Sequence, residues 1–111
     1  MTHQMKLKPI PFDLIKSGQK TVEMRLNDEK RSLIKAGDFI EFTNTESGEK
    51  VLTCVCNLTK FDNFEALYKH FDKRLLGYCE GENADPCDMS QYYKKEDVEN
   101  HGALAIEIKL I

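Results

Sequence analysis

The stretch Ser17–Arg31, SGQKTVEMRLNDEKR, decides the fold and raises the question of function. Its centre alternates two sets of side chains, the apolar Val22, Met24 and Leu26 and the polar Thr21, Glu23 and Arg25. Successive residues of a strand face opposite sides of a sheet, so the apolar set can enter a core. The polar set then forms either a solvated surface or the floor of a binding site.

The segments around this strand predict an α+β fold. In chain order we expect a first strand, Met5–Lys8; a helix over 9–18; the strand Thr21–Leu26; a short polar segment with one helical turn; strands Phe39–Asn44 and about Lys50–Lys60; a helix through Phe64 and Phe71 capped by Asp62 or Asn63; a loop, Gly77–Asp88; one or two helices over 89–100; and a terminal strand from Ala103. Five short strands, mostly joined by turns, favour a small curled sheet or barrel flanked by helices.

Length and composition predict one domain over residues 1–111. No apolar run approaches the roughly 18 residues of a membrane-spanning helix, and the first residues lack the apolar centre of a secretion signal. We therefore expect a cytoplasmic protein that does not enter membranes.

The charge distribution limits the kind of partner. The net charge is −3, which argues against a protein that binds nucleic acid by neutralising many phosphates. The charge is uneven, with six basic and four acidic residues between Asp13 and Lys35 but two basic and seven acidic residues between Cys79 and Asn100. An anionic partner is expected to approach the first third of the chain.

The cysteines and histidines predict no metal site. Cys54 and Cys56 have a CxC spacing, but neither Cys79, Cys87 nor any histidine completes a zinc-like pattern. The CxC pair is interpreted as two small buried apolar side chains. No phosphate loop, dinucleotide motif, nucleophile elbow or HExxH motif is present, so no cofactor is predicted.

The chain resembles the ASCH domain family of the PUA-like superfamily. The resemblance lies in IKSGQKTVEMRLNDEKR, continued by IKAGDFIEF and closed by YYKKEDVENHGALAIEIKL, where His101 replaces the tyrosine of the terminal YGVLAI-like motif. It implies a small PUA-like β-barrel of about five to six strands flanked by helices. It also implies a cleft lined by Lys20, Glu23 and Arg25 that binds RNA, a nucleoside or a nucleotide-like ligand.

The same resemblance implies an alternative, an amidohydrolase that deacylates a modified nucleoside such as acetylcytidine. The lysine of a small bacterial ASCH amidohydrolase matches Lys20, whereas Glu23 occupies the position of its threonine. In an enzyme of this kind Lys20 would activate water or a nucleophile and Glu23 would move protons.

Each candidate residue also has a structural interpretation. Lys20 fits an exposed turn, and Glu23 with Arg25 fits a solvent-facing ion pair that stabilises the fold by ~0–1 kcal/mol. The further candidates for ligand binding are Thr21, which belongs to the motif, Lys30 and Arg31, which also fit a solvated surface, and Tyr93, which with Tyr92 fits either base stacking or core packing.

Three functions are therefore open. The first is an RNA- or nucleoside-binding module, the second is the amidohydrolase, and the third is a protein-interaction domain whose acidic C-terminal third binds a basic partner.

Overall fold

The computed structural model describes residues 1–111. Its strands are β1 (Thr2–Leu7), β2 (Val22–Leu26), β3 (Phe39–Asn44), β4 (Lys50–Phe61) and β5 (Ala103–Leu110). Its α-helices are α1 (Pro9–Lys16), α2 (Phe64–His70) and α3 (Lys95–His101), and short 3-10 helices cover Arg31–Leu33 and Pro86–Gln91. None of the helices is both long and apolar enough to cross a bilayer.

The five strands form one curled sheet, a half-barrel, in the order β1-β3-β4-β5-β2. β1 pairs with β3 in parallel, and the other neighbours are antiparallel. The predicted α+β architecture of about five strands with flanking helices is confirmed. β1 and β2 are the two edges of the sheet, because each has a single strand neighbour.

Each face of the sheet carries an apolar core. On one face α1 contributes Phe12 and Ile15 to a core with Leu104 and Ile106 of β5. On the other face α2 contributes Phe64 and Leu67 to a second core, whose sheet residues are Val22, Met24, Ala103 and Ala105. Alternate residues of β5 therefore belong to two apolar layers. We call the side of the sheet under α1 the α1 face and the side under α2 the α2 face.

The element bounds differ from the predicted ones by a few residues, for local reasons. β1 starts at Thr2 rather than Met5, because its parallel register with β3 begins where Thr2 lies opposite Phe39. Asn63, rather than Asp62, caps α2, because its side-chain oxygen accepts a hydrogen bond from the Ala66 N–H at 2.9 Å.

The interpretation of Cys54 and Cys56 as buried residues is wrong. Cys56 is exposed and Cys54 is only partly covered, whereas the intervening Val55 is buried. The two cysteines flank Val55 and so point away from the core beneath α1, and a break in the β4–β5 register, typical of a β-bulge, follows between Val55 and Asn57. The layer under α1 is therefore filled by Val55 and not by the cysteines.

Candidate functional site

Glu23 and Arg25 of β2 lie on the α1 face of the sheet. Their partners in the antiparallel register are Ile106 and Leu104, which belong to the core beneath α1. The apolar Val22 and Met24 face the opposite core, as the alternation predicts. Because both faces are covered, the polar set of β2 is not a solvated surface.

Lys20 reaches the same place from the turn after α1. Its backbone N–H donates to the Leu14 carbonyl at 3.0 Å, which ties the turn to the helix. Its side chain is only 7% exposed, and the nearby Gly77 leaves room for it, since a Cβ at Gly77 would lie 3.0 Å from Lys20 Cδ. The interpretation of Lys20 as an exposed turn lysine is therefore wrong.

The Glu23 carboxylate joins the two cations. Glu23 Oε1 lies 2.9 Å from Lys20 Nζ, and Glu23 Oε2 lies 2.8 Å from both Nε and Nη2 of Arg25. Glu23 is 3% exposed, so the interpretation of a solvent-facing Glu23–Arg25 pair is also wrong. We call this group of Lys20, Glu23 and Arg25 the polar trio.

Arg25 also closes the open side of the half-barrel. Its Nη2 donates to the backbone carbonyl of Lys6 on β1 at 3.1 Å, so one side chain bridges the two edge strands. The fork of the guanidinium makes this possible, because its nitrogens present donors in several directions. We call this junction, with the residues around it, the seam: Lys6, Lys8, Arg25 and Tyr92.

The electrostatics of the trio keep Glu23 charged. Burial disfavours the carboxylate, but the charges of Lys20 and Arg25 and their hydrogen bonds outweigh it and lower the pKa of Glu23. Burial likewise opposes the charge of Arg25, and the carboxylate of Glu23 followed by the hydroxyl of Tyr93 raises the pKa of Arg25. An acid held ionised in this way orients two cations well and carries protons poorly near neutral pH.

Thr21 lies beside Lys20. The two residues line a hollow of about 160 Å³ together with Thr53, Ile108 and other residues of the sheet. This volume is below the range of about 300–1,000 Å³ that drug-sized ligands occupy, so the hollow suits only a small group.

Lys30 and Arg31 form no hydrogen bond or ion pair with the polar trio. Arg31 is bound to Asp28, with its Nη1 at 2.8 Å from Asp28 Oδ2 and its backbone N–H donating to Asp28 Oδ1 at 3.0 Å. Lys30 is exposed. The ion pair commits most of Arg31 to local structure, while Lys30 is available to solvent.

The two tyrosines have different environments. Tyr93 is half-buried and its ring stacks nearly parallel to Phe64, with centroids 5.8 Å apart. Tyr92 is 51% exposed, and Lys8 Nζ lies 5.5 Å from the centre of its ring. The ring of Tyr93 thus packs on the α2 face while its hydroxyl lies near Arg25, and Tyr92 is the tyrosine that presents an aromatic surface to solvent.

Lys6 and Lys8 were not among the predicted site residues, and Tyr92 was considered only together with Tyr93, for base stacking or core packing. Lys8 follows the end of β1, and Tyr92 follows the second 3-10 helix, so more than 80 positions separate them in the sequence. Only the adjacency of Tyr92 to the candidate Tyr93 pointed toward this part of the site. No group of three or more His, Cys, Asp or Glu side chains is arranged as metal ligands would be.

The chain is similar to a known domain family and to solved structures. The family model described as ASCH domain matches residues 5–111. The crystal structure of hypothetical protein PH0355 is similar over 100% of both chains, with 31% identity and a TM-score of 0.87. The solution structure of protein PF0455 from Pyrococcus furiosus is 30% identical over 100% of this chain and 98% of its own, with a TM-score of 0.73.

A more distant relative shares the fold alone. The S128A mutant of ZmASCH from Zymomonas mobilis is 17% identical over 97% of this chain and 67% of its own, with a TM-score of 0.71. No curated protein matches the sequence significantly.

Proposed function

Since the chain belongs to the ASCH domain family, we propose that it binds RNA or a nucleoside-like ligand at the seam between β1 and β2. The proposed contacts are Arg25 and Lys20 for carbonyl or phosphate oxygen, Thr21 beside them, Tyr92 for a base, and Lys6 and Lys8 for phosphate. Glu23 is a positioning residue in this proposal. Lys30, Arg31 and Tyr93 would contact the ligand only at the edge of the site.

The observation that carries the proposal is the buried carboxylate between two cations. Burial of a charge costs several kcal/mol in desolvation, so apolar side chains of similar volume would stabilise this part of the core at least as well as the trio does. The same arrangement holds the Arg25 fork at a fixed orientation against the Lys6 carbonyl, and the exposed ring of Tyr92 lies against Lys8, two residues further along the chain. A planar donor fork suits oxygen atoms, and an exposed aromatic ring suits a base.

The charge of the chain sets the expected size of the ligand. Lys6 and Lys8 bring unpaired positive charge to the seam, the charges of Lys20 and Arg25 are shared with Glu23, and the whole chain carries −3. Each phosphate contact to a single strand contributes roughly −0.7 to the slope of log K against log salt. With two or three contacts we expect a shallow slope of about −1.5 to −2.

The test is a fluorescence-anisotropy titration with a short single-stranded RNA at several salt concentrations. Tyr92→Ala is expected to weaken binding about tenfold, within the ~1–3 kcal/mol of base stacking, whereas Tyr92→Phe keeps the ring and the affinity. Lys69→Ala, an exposed lysine of α2, serves as the control. A steep salt slope, or equal affinity for Tyr92→Ala and Lys69→Ala, contradicts binding at the seam.

The amidohydrolase alternative is favoured by one contact, the 2.9 Å approach of Lys20 Nζ to Glu23 Oε1. It is opposed by the lowered pKa of Glu23, since a proton carrier works best with a pKa near the working pH. Incubation with acetylcytidine and detection of cytidine decides between the two. Binding without catalysis predicts no turnover above that of Lys20→Ala, and turnover that Lys20→Ala abolishes supports the enzyme.

A further inference from the structure

A second cavity lies on the α2 face, on the side of β2 opposite the polar trio. It has a volume of about 370 Å³ and lies among α2, the 3-10 helix Pro86–Gln91 and α3. Its apolar wall is formed by Phe64, Met89, Tyr93 and Val98, which also pack in the core of the α2 face. This volume falls within the range of small-molecule sites, whereas the hollow beside Lys20 does not.

The polar lining of this cavity is acidic. Asp62, Glu65 and Glu99 contribute three carboxylates against the single ammonium of Lys95. None of these four side chains forms an ion pair within the chain. All four are exposed at the mouth, while Phe64 and Met89 are buried at the base.

We propose that this cavity binds a small organic cation with a flat apolar body. The body would contact the Phe64–Tyr93 stack and Met89, and its positive group would lie among the unpaired carboxylates. A cation close to an aromatic ring and to carboxylates gains from the ring quadrupole and from the ionic attraction. The same carboxylates repel phosphate, so this cavity takes a ligand whose charge is opposite to that of the ligand proposed at the seam.

The experiment is an NMR titration of the isotopically labelled chain with benzamidine, benzamide and benzoate. These probes share a ring and nearly the same shape but carry a positive, zero and negative charge at neutral pH. We expect benzamidine to bind about fivefold more tightly than benzamide, equivalent to about 1 kcal/mol, and benzoate to bind least. The shifted resonances are expected to belong to Phe64, Met89, Tyr93 and Val98.

Charge variants separate the proposed site from general attraction to an acidic protein. Glu65→Gln and Glu99→Gln are each expected to reduce the preference for benzamidine over benzamide. Glu96→Gln removes an exposed charge from α3 that does not line the cavity, so it is expected to leave the preference unchanged. Thermal melting of each variant verifies that the fold is intact.

Three results overturn the proposal. They are equal affinity for benzamidine and benzamide, perturbed resonances that map to the seam instead of the cavity, and a Glu96→Gln effect as large as that of Glu99→Gln. The RNA titration at the seam is a separate measurement, so either site can fail without the other.

Discussion

Arg25 Nη2 donates to the Lys6 carbonyl at 3.1 Å and so joins the two edge strands of the half-barrel. No backbone hydrogen bonds of the sheet join the edge strands β1 and β2, and unpaired edge strands can pair with other chains. One guanidinium therefore holds the seam and the buried carboxylate of Glu23 together.

Arg25→Lys is expected to lower the free energy of unfolding by about 2 kcal/mol, because an ammonium cannot bind Glu23 and Lys6 with the geometry of the fork. Urea denaturation measures the loss. Arg74→Lys is the matched control, since Arg74 pairs with Glu80 at 2.9 Å but both side chains are mostly exposed. Equal stability of the two variants would show that the bond across the seam is unimportant.

Glu23→Gln is expected to destabilise the fold by about 3 kcal/mol at pH 7, since it leaves Lys20 and Arg25 buried without a counter-charge. Chemical denaturation and RNA binding are measured separately. If Glu23→Gln lowers the stability but the folded variant binds RNA with the affinity of the unmodified chain, Glu23 has no positioning role in binding.

The stability of the chain in acid is expected to depend on Glu23. Its folded-state pKa lies below its ordinary value of 4.5, so its contribution is complete above about pH 4.5 and is lost as the pH falls through the folded-state pKa. Denaturation profiles from pH 3 to pH 7 are therefore expected to be flatter for Glu23→Gln than for the unmodified chain. An equal loss of stability in acid for Glu23→Gln and for the unmodified chain would contradict the role of Glu23.

Asp38 is expected to hold the start of β1. It accepts hydrogen bonds from the His3 ring at 2.9 Å and the Lys35 N–H at 3.0 Å, and these lower the pKa of Asp38 to about 2. The contribution of Asp38 is present above its ordinary value of 3.8 and is lost as the pH falls toward 2. Asp38→Asn is expected to speed hydrogen exchange in β1 at neutral pH, whereas Asp13→Asn, an exposed acid on α1, leaves it unchanged.

Gly102→Ala is expected to cost roughly 2–3 kcal/mol, because Gly102 has φ +77° and ψ −178°, a region that residues with a Cβ rarely occupy. An added Cβ would also lie 2.8 Å from the Phe61 carbonyl oxygen. Gly81→Ala is the control, since nothing lies within 4 Å of its added Cβ. Similar melting temperatures for the two variants would refute the steric argument.

The sequence predicted the strand that carries the site better than it predicted the surroundings. The alternation of β2 correctly divided Val22 and Met24 from Glu23 and Arg25, since the period of a strand depends only on local geometry. The burial of Glu23 was not predictable from that pattern, because it depends on α1 covering the polar face and on Lys20 reaching the carboxylate from the turn before the strand.

Long-range pairing explains the remaining differences. The contact of Lys8 with Tyr92 joins the end of β1 to the end of the second 3-10 helix, and no local signal specifies that these two segments meet. The break in the register of β4 was likewise not predictable, because the sequence of that strand contains no glycine or proline to indicate it.

The position of β5 in the sheet has a consequence for how the molecule is made. β5 is last in the sequence, yet it lies between β4 and β2 and is the sole strand neighbour of β2. During vectorial synthesis on the ribosome, β2 must wait unpaired until nearly the whole domain has emerged, and only then can the carboxylate of Glu23 leave water. Deletion of β5 would therefore leave β2 without a pairing partner, and the proposed binding site would not form.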